Sequence, residues 1–198
     1  MRIILSLVQL DEKTMSTSEL VIRKANSDDN DCVFKLANQL SESININQEI
    51  FEKNFEELIH NNNHCILVAE INQIVEGYIS GNFHKAFYAN GQVAFIDEIV
   101  VDSRCRNLSI GKHLMEEFEA IAKINKSVLI SLATSGAKGF YEKLGYSSKS
   151  GYYKKYLSIQ TDTSASSKSV ETAAYSRFSS VSHLFDSNNL SSIYITTY

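Results

Sequence analysis

Residues 94–124 read AFIDEIVVDSRCRNLSIGKHLMEEFEAIAKI, and this stretch decides the fold. Its first part, 94–101, is mostly apolar and rich in β-branched residues, which predicts a strand. Its last part, 110–124, predicts a helix with one apolar face. That face consists of Leu114, Met115, Phe118 and Ile121. The stretch therefore predicts a strand and a helix joined by a short loop.

The loop before this helix has the features of an anion-binding site. A helix N-terminus presents backbone N–H groups without intrahelical partners and a partial positive charge. The small residues Ser109 and Gly111 let a pyrophosphate approach the backbone, and Arg106 and Lys112 can add charge-assisted hydrogen bonds. Considered alone, the loop is equally compatible with an ordinary strand-to-helix turn that carries surface Arg and Lys.

Patterns on both sides of this stretch predict an alternation of strands and helices. Predicted strands cover 20–25, 64–71, 74–83, 127–133 and 151–157. Predicted helices cover 31–43, 46–60 and 135–145. The resulting order, β α α β β β α β α β, favours a single α/β domain with helices packed on a mixed sheet. We expect residues 1–19 to be an N-terminal extension, 20–157 the domain, and 158–198 a Ser/Thr-rich tail.

Composition excludes several classes of function. A net charge of −4 argues against nucleic-acid binding, and no apolar run is long enough to span a membrane. The cysteines Cys32, Cys65 and Cys105 have no metal-ligand spacing, so we expect no metal and reduced thiols in a cytoplasmic protein. The opening segment lacks the features of a signal peptide, and Met15 is an alternative start.

A second motif follows the fifth predicted strand. Residues 137–146 read AKGFYEKLGY, and Gly145 suits the C-terminal cap of a short helix. With Arg106, Ser109 and Gly111 of the loop, this segment resembles the two motifs of the GCN5-related N-acetyltransferase (GNAT) superfamily. The resemblance extends from about residue 20 to residue 157. It implies a mostly antiparallel sheet that is splayed between its fourth and fifth strands, 94–101 and 127–133.

The resemblance also implies acetyl-CoA as co-substrate, bound in the opening between those strands. The backbone of Ile99, Val100 and Val101 corresponds to the part of the strand that binds the pantetheine arm. The diphosphate cradle corresponds to Arg106, Asn107, Leu108, Ser109, Ile110, Gly111 and Lys112. Thr134 and Lys138 complete the implied cofactor site. Three residues depart from the family pattern: Ser109 and Asn107 replace frequent glycines, and Thr134 replaces an asparagine.

Three residues are candidates for catalysis. By resemblance, Tyr141 protonates the departing CoA thiolate, and Asp97 draws a proton from the amine, with Glu98 as the second choice. Consecutive side chains alternate across a strand, so the two carboxylates should point to opposite faces unless a bulge intervenes. Alternatively, both carboxylates only bind the substrate ammonium or cap a strand edge.

The sequence thus predicts direct acetyl transfer to a primary amine of a small molecule or a protein N-terminus. The alternative is a catalytically degenerate CoA-binding sensor or scaffold, which the departures at Ser109 and Thr134 favour. A nucleotide-binding enzyme is a weaker alternative, because neither a full G-x-G-x-x-G nor a P-loop is present. The sequence leaves the identity of the acceptor open, and homodimer formation as well.

Overall fold

The computed structural model describes residues 2–8, 17–40, 45–148 and 151. In this part the chain forms one sheet whose strands lie in sequence order. The strands are β1 (Arg2–Val8), β2 (Thr17–Lys24), β3 (His64–Ile71), β4 (Ile74–Ala86), β5 (Gly91–Val101) and β6 (Ser127–Leu132). The helices are α1 (Asn30–Leu40), α2 (Gln48–Ile59), α3 (Ile110–Ile124) and α4 (Lys138–Lys143).

Neighbouring strands pair antiparallel except β5 and β6, which are parallel. A tight hairpin joins β3 to β4, with Asn72 at φ 50° and Gln73 at φ 68°. Two successive positive φ values are the signature of a type I′ turn, whose twist matches that of the flanking strands. This turn occupies the two residues between the predicted strands 64–71 and 74–83.

The sheet opens between β5 and β6. Their pairing ends at Ile96 and Leu132, whereas β5 continues to Val101. On the edge of β5 that faces β6, the backbone N–H and C=O groups of its last five residues therefore have no partner on β6. This splay, and the mixed and mostly antiparallel sheet, confirm the predicted fold class.

Helices cover both faces of the sheet and create two apolar clusters. On one face, α3 and α4 pack on the strands through Leu114, Met115, Phe118 and Tyr141. On the other face, α1 and α2 pack on the strands through Val33, Leu36, Ala37 and Phe55. Of the stripe predicted for α3, Leu114, Met115 and Phe118 are buried, and Ile121 is partly buried against the same cluster.

Some boundaries differ from the predictions. The sequence pattern predicts no strand that begins within residues 1–19, yet β1 pairs along its length with β2. Strand β4 was predicted to end at residue 83 and β5 to begin at residue 94. Both extend further toward their shared turn, because each continues to pair with the other. Helix α4 is shorter than 135–145. The strand predicted over 151–157 and the tail 158–198 lie outside the described residues, apart from residue 151.

Candidate active site

Strand β5 contains a β-bulge at the two candidate carboxylates. Ser80 of β4 pairs with Glu98, and the next residue, Gly81, pairs with Ile96. Asp97 is therefore an extra residue on β5 with no counterpart on β4. A bulge of this kind interrupts the alternation of side chains along a strand.

The bulge brings both carboxylates to the face covered by α1 and α2. Asp97 accepts a 3.0 Å hydrogen bond from the Asn82 side-chain amide, and Glu98 accepts a 2.6 Å hydrogen bond from the Tyr78 hydroxyl. Tyr78 belongs to the α1 and α2 cluster. A Cβ on Gly81 would collide with an α3 side chain, so position 81 points to the face that α3 covers. Because side chains alternate along a strand, the next residue, Asn82, points to the same face as Tyr78. The exception that the sequence-based expectation allowed therefore applies: a bulge intervenes, and the two carboxylates do not point to opposite faces.

A cavity of about 450 Å³ lies on this face between the helices and the sheet, and we call it the helical cavity. Its wall combines apolar side chains with carboxamides, hydroxyls and one carboxylate. The polar lining residues are Asn45, Asn47, Asn54, Tyr78, Ser80 and Glu98. The apolar lining includes Val33, Phe51, Phe55 and Ile66. A cavity of this size and mixed character suits a small polar molecule.

Two hydrogen bonds order the polar wall of the helical cavity. Besides the contact between Tyr78 and Glu98, the Ser80 hydroxyl lies 2.8 Å from Nε2 of His64 on β3. Burial and the adjacent Glu98 carboxylate raise the pKa of Tyr78 far above its ordinary value. The phenol therefore stays protonated and remains a donor to the carboxylate at any working pH.

A larger cleft, of about 780 Å³, lies where β5 separates from β6, and we call it the splay cleft. Its walls are the end of β5, the following loop, the start of α3 and helix α4. The lining includes Ile99, Val100, Val101, Cys105, Arg106, Asn107, Ser109, Ile110, Gly111, Lys112, Phe140 and Tyr141. An elongated cofactor has both apolar walls and cationic side chains available here.

The start of α3 presents backbone donors to the splay cleft. The first backbone bond of the helix runs from the His113 N–H to the Ser109 carbonyl. The N–H groups of Ile110, Gly111 and Lys112 precede it and have no partner within the helix. A Cβ on Gly111 would lie 3.5 Å from Phe140 and 3.7 Å from Val101, within the cleft. A glycine here keeps that space free for a ligand.

Asn107 and Ser109 both adopt left-handed backbone conformations, with φ of 69° and 61°. They are the positions at which the predicted family resemblance expects glycine. Ser109 is also the N-cap of α3, and its side chain forms no capping hydrogen bond. Left-handed geometry is costly for residues with a Cβ, less so for Asn. The loop therefore keeps a glycine-type conformation without the glycines, at some cost in stability.

Tyr141, like its neighbour Phe140, is an aromatic side chain of α4 that lines the splay cleft. It is 8% exposed and packs edge-on against Phe140 and Tyr146. Burial raises its pKa above the ordinary phenol value, so the hydroxyl is protonated at neutral pH. Gly145, at φ 89°, ends the helix, with N–H bonds from Gly145 and Tyr146 to Glu142 and Tyr141. This Schellman arrangement fixes the motif around Tyr141.

Most of the predicted cofactor residues line the splay cleft, and three do not. Leu108 packs against the apolar cluster under α3. The Thr134 hydroxyl accepts a 3.1 Å hydrogen bond from the Ala137 N–H, so it shapes the turn before α4. Lys138 lies 3.6 Å from Glu142 in an exposed ion pair. These three side chains belong to the supporting structure of the site and not to its lining.

An ionic cluster braces the loop that enters the splay cleft. The buried Asp102 carboxylate accepts hydrogen bonds from Gln39 of α1 and from the backbone and side chain of Arg104. Gln39 in turn accepts one from the Ser103 N–H. The hydrogen bonds from Arg104, followed by that from Gln39, hold the pKa of Asp102 well below its usual range. The cluster connects α1 to the segment before Arg106.

Cys105 lines the splay cleft and packs against the apolar cluster under α3. Burial, followed by the charge of Glu76, raises the pKa of its thiol. A protonated thiol is a poor nucleophile.

Sequence reasoning missed His64, Tyr78 and Ser80 as residues of the site. Their signal was present but weak. Ser80 and Asn82 are polar residues two positions apart on β4, and His64 begins β3 on the same face as the apolar Ile66 and Val68. Only the register of β3 against β4 shows that these residues are neighbours.

The described residues contain neither a helix that could span a membrane nor a cluster that could bind a metal ion. None of the helices resolved there has both the length and the apolar character needed to cross a bilayer. In the same ranges, no three His, Cys, Asp or Glu side chains are grouped so that they could hold a metal ion.

Comparison with known proteins agrees with this geometry. A family model described as an acetyltransferase (GNAT) domain matches residues 62–148. Glucosamine 6-phosphate N-acetyltransferase of Arabidopsis thaliana is 32% identical over 142 residues, which are 69% of this chain and 95% of the relative. The crystal structure of glucosamine-6-phosphate N-acetyltransferase from A. thaliana, at 31% identity, superposes with a TM-score of 0.63 over 70% of this chain and 99% of that one.

A more distant structure shares the fold. An aminoglycoside N-acetyltransferase solved in complex with CoA is 16% identical and superposes with a TM-score of 0.61, over 73% of this chain and 99% of that one. The splayed sheet, the loop at the start of α3, the motif around Tyr141 and the A. thaliana relative lead to one conclusion: this chain belongs to the GNAT family of acetyltransferases.

Proposed function

We propose that this protein transfers the acetyl group of acetyl-CoA directly to the primary amine of a small polar molecule. The observation that carries the proposal is the position of two consecutive residues of β5. Glu98 lines the helical cavity, and Ile99 lines the splay cleft. An amine held in the cavity and a thioester held in the cleft would therefore meet at one point of the sheet, which direct transfer requires.

In this proposal the splay cleft binds acetyl-CoA, which supplies the activated acetyl group. The backbone from Ile99 to Val101 has hydrogen-bonding groups that β6 does not use, and these suit the amides of the pantetheine arm. The N-terminus of α3 and the side chains of Arg106 and Lys112 suit the diphosphate. The residues present thus match the charge and shape of the co-substrate.

The helical cavity holds the amine. Glu98 lies in its lining, whereas Asp97, our first choice from sequence, is not part of the lining of either space. We therefore place Glu98 against the substrate ammonium and Asp97 beside it as a second negative charge. The two carboxylates on one face favour a cation and raise its local concentration.

Tyr141 acts as the acid for the leaving sulfur. Its hydroxyl is protonated at neutral pH because burial raises its pKa. A thiolate that leaves a thioester needs a proton as charge develops on it. The position of Tyr141 in the splay cleft is compatible with this role.

The cavity chemistry favours a small amine that carries hydroxyl groups. The lining of the cavity combines carboxamides, hydroxyls and a carboxylate with apolar side chains. This combination suits an amino sugar or a related polyol amine. The A. thaliana relative is named for glucosamine 6-phosphate, and one structure of the same fold, at 16% identity, is an aminoglycoside acetyltransferase solved with sisomicin. A peptide N-terminus is the alternative acceptor.

Two measurements test this proposal. Thermal unfolding with acetyl-CoA, CoA, ATP or NAD should show stabilisation by the first two alone, about 2.7 kcal/mol at 100 times the dissociation constant. Thiol release should then detect turnover with glucosamine, glucosamine 6-phosphate or sisomicin, and a tripeptide tests the alternative acceptor. No stabilisation by acetyl-CoA or CoA would reject the proposal.

Tyr141→Phe tests the acid. We expect turnover to fall about 100-fold or more while CoA binding is unchanged. Tyr88→Phe is the matched control, because Tyr88 is exposed on the turn between β4 and β5. Equal turnover in both variants would remove Tyr141 from the mechanism.

One observation favours a second candidate function, a CoA-binding sensor without turnover. Asn107 and Ser109 adopt left-handed conformations in the diphosphate loop, where the family pattern has glycine. Nothing in the proposed catalysis explains this departure from the pattern. CoA binding together with an absence of thiol release across the amine panel would support the sensor.

A further inference from the structure

The helical cavity has a hydroxyl in its wall with an imidazole directly behind it. Ser80 is 8% exposed and lines the cavity, and its Oγ lies 2.8 Å from Nε2 of His64. Ser80 is also the cross-strand partner of Glu98, the carboxylate that we place against the substrate ammonium. The hydroxyl thus faces the cavity in which we place the amine and contacts the imidazole of His64.

The charges around His64 come from strand β5. Burial, the largest influence, lowers the pKa of His64 below its ordinary value, and the carboxylates of Asp97 and Glu98 oppose this. Strand β4 contributes the uncharged Ser80 and Asn82 on this face. The imidazole is therefore neutral at pH 7, and with its proton on Nδ1 it accepts a hydrogen bond from Ser80 at Nε2.

We propose that His64 receives, through Ser80, the proton that the substrate ammonium must lose before it attacks the acetyl group. This inference rests on the proposed function. One N–H bond of the ammonium breaks and its proton passes to Ser80 Oγ, while the Ser80 O–H proton passes to Nε2 of His64. The nitrogen keeps the electron pair with which it attacks the acetyl carbon.

The transfer is uphill, because an ammonium has a higher pKa than an imidazolium, and the two carboxylates of β5 offset part of its cost. Ser80 is again a hydroxyl, and His64 is an imidazolium whose positive charge lies near the carboxylates of Asp97 and Glu98. An imidazole is also closer in pKa to an amine than a carboxylate is, which lowers the cost of the transfer. Glu98 thus retains the charge that holds the ammonium. His64 acts through Ser80 and is a positioning residue in this scheme.

The test is the pH dependence of kcat/KM for the amine that thiol release identifies. In the native protein we expect an inflection below pH 6.5, where protonation of His64 abolishes its capacity to accept a proton. His64→Gln should lower kcat/KM about 100-fold and remove that inflection, with CoA binding unchanged. Ser80→Ala should have the same effects. His60→Gln, an exposed histidine at the end of α2, is the control.

Each outcome has a distinct meaning. If His64→Gln has the same kcat/KM and the same inflection with pH as the native protein, this inference is overturned and the proposed function stands. An absence of turnover in the native protein would overturn the proposed function and this inference with it.

A second measurement does not depend on how well the variants fold. Nitrogen chemical shifts of the His64 ring in the native protein should show Nε2 without a proton at neutral pH. A ring that carries its proton on Nε2, or an imidazolium at pH 7, would contradict the transfer.

Discussion

The hydroxyl of Tyr78 donates a 2.6 Å hydrogen bond to Glu98 across the boundary of strands β4 and β5. Tyr78 is 1% exposed, so the phenol ring is fixed in the core while its hydroxyl reaches the wall of the helical cavity. The bond therefore couples a core residue to the carboxylate of the site. It also orients Glu98 before any substrate arrives.

Tyr78→Phe removes this bond and keeps the ring. We expect the free energy of unfolding to fall by about 1 kcal/mol, because a hydrogen bond to a charged acceptor is lost at a partly solvated position. Denaturation in urea measures the change. Tyr88→Phe, on an exposed ring, should change stability by less than about 0.5 kcal/mol. Equal stability of the two variants would show that the bond contributes nothing to folding.

Ser109→Gly should stabilise the protein, since Ser109 adopts a left-handed backbone at φ 61°. Glycine adopts this conformation without the Cβ penalty, and we expect a gain of about 0.5–1 kcal/mol in urea denaturation. Ser103→Gly is the matched control in the same loop, because Ser103 lies in a short 3₁₀ turn. It should be neutral or destabilising. A loss of stability in Ser109→Gly would mean that the serine side chain has compensating contacts.

Arg106→Ala should weaken CoA binding about tenfold, which corresponds to about 1.4 kcal/mol. The reason is the loss of a charge-assisted contact to the diphosphate at the start of α3. Titration calorimetry with CoA measures the effect, and the difference from the native protein should shrink at high salt. Lys53→Ala, on α2, should bind CoA as the native protein does. Unchanged affinity in Arg106→Ala would place the diphosphate elsewhere.

Asp102→Asn should destabilise the loop that enters the splay cleft. The native pKa of Asp102 lies below its unfolded value, so its contribution is present above about pH 3.9 and is lost as the pH falls through the native value. At pH 7 we expect a loss of about 1–2 kcal/mol from weakened hydrogen bonds with Arg104 and Gln39. Urea denaturation at pH 7 and at low pH measures how far the difference shrinks.

Glu57→Gln, in the last turn of α2, is the control for this pH dependence and should show little change at either pH. A deficit in Asp102→Asn that stays constant down to low pH would show that the ionised carboxylate is not what stabilises the loop.

Local pattern predicted most of the fold. The helix over 110–124 and the strand over 64–71 have the predicted boundaries, because each combines a clear period with capping or turn residues at its ends. Strand β1 was missed although its sequence RIILSLV is apolar, because the pairing with β2 that makes it a strand of the sheet is visible only in the structure. The ends of β4 and β5 depend on each other for the same reason.

The amino-acid sequence was enough to predict the family, the opening of the sheet and many of the residues that line the splay cleft, because the loop before α3 and the motif around Tyr141 are local. The arrangement of residues in the helical cavity could be seen only in the tertiary structure. The bulge at Asp97 turns two carboxylates to one face, and the register of β3 and β4 brings His64 to Ser80. Register is a relation between strands, set by the sum of their packing, and no single strand encodes it.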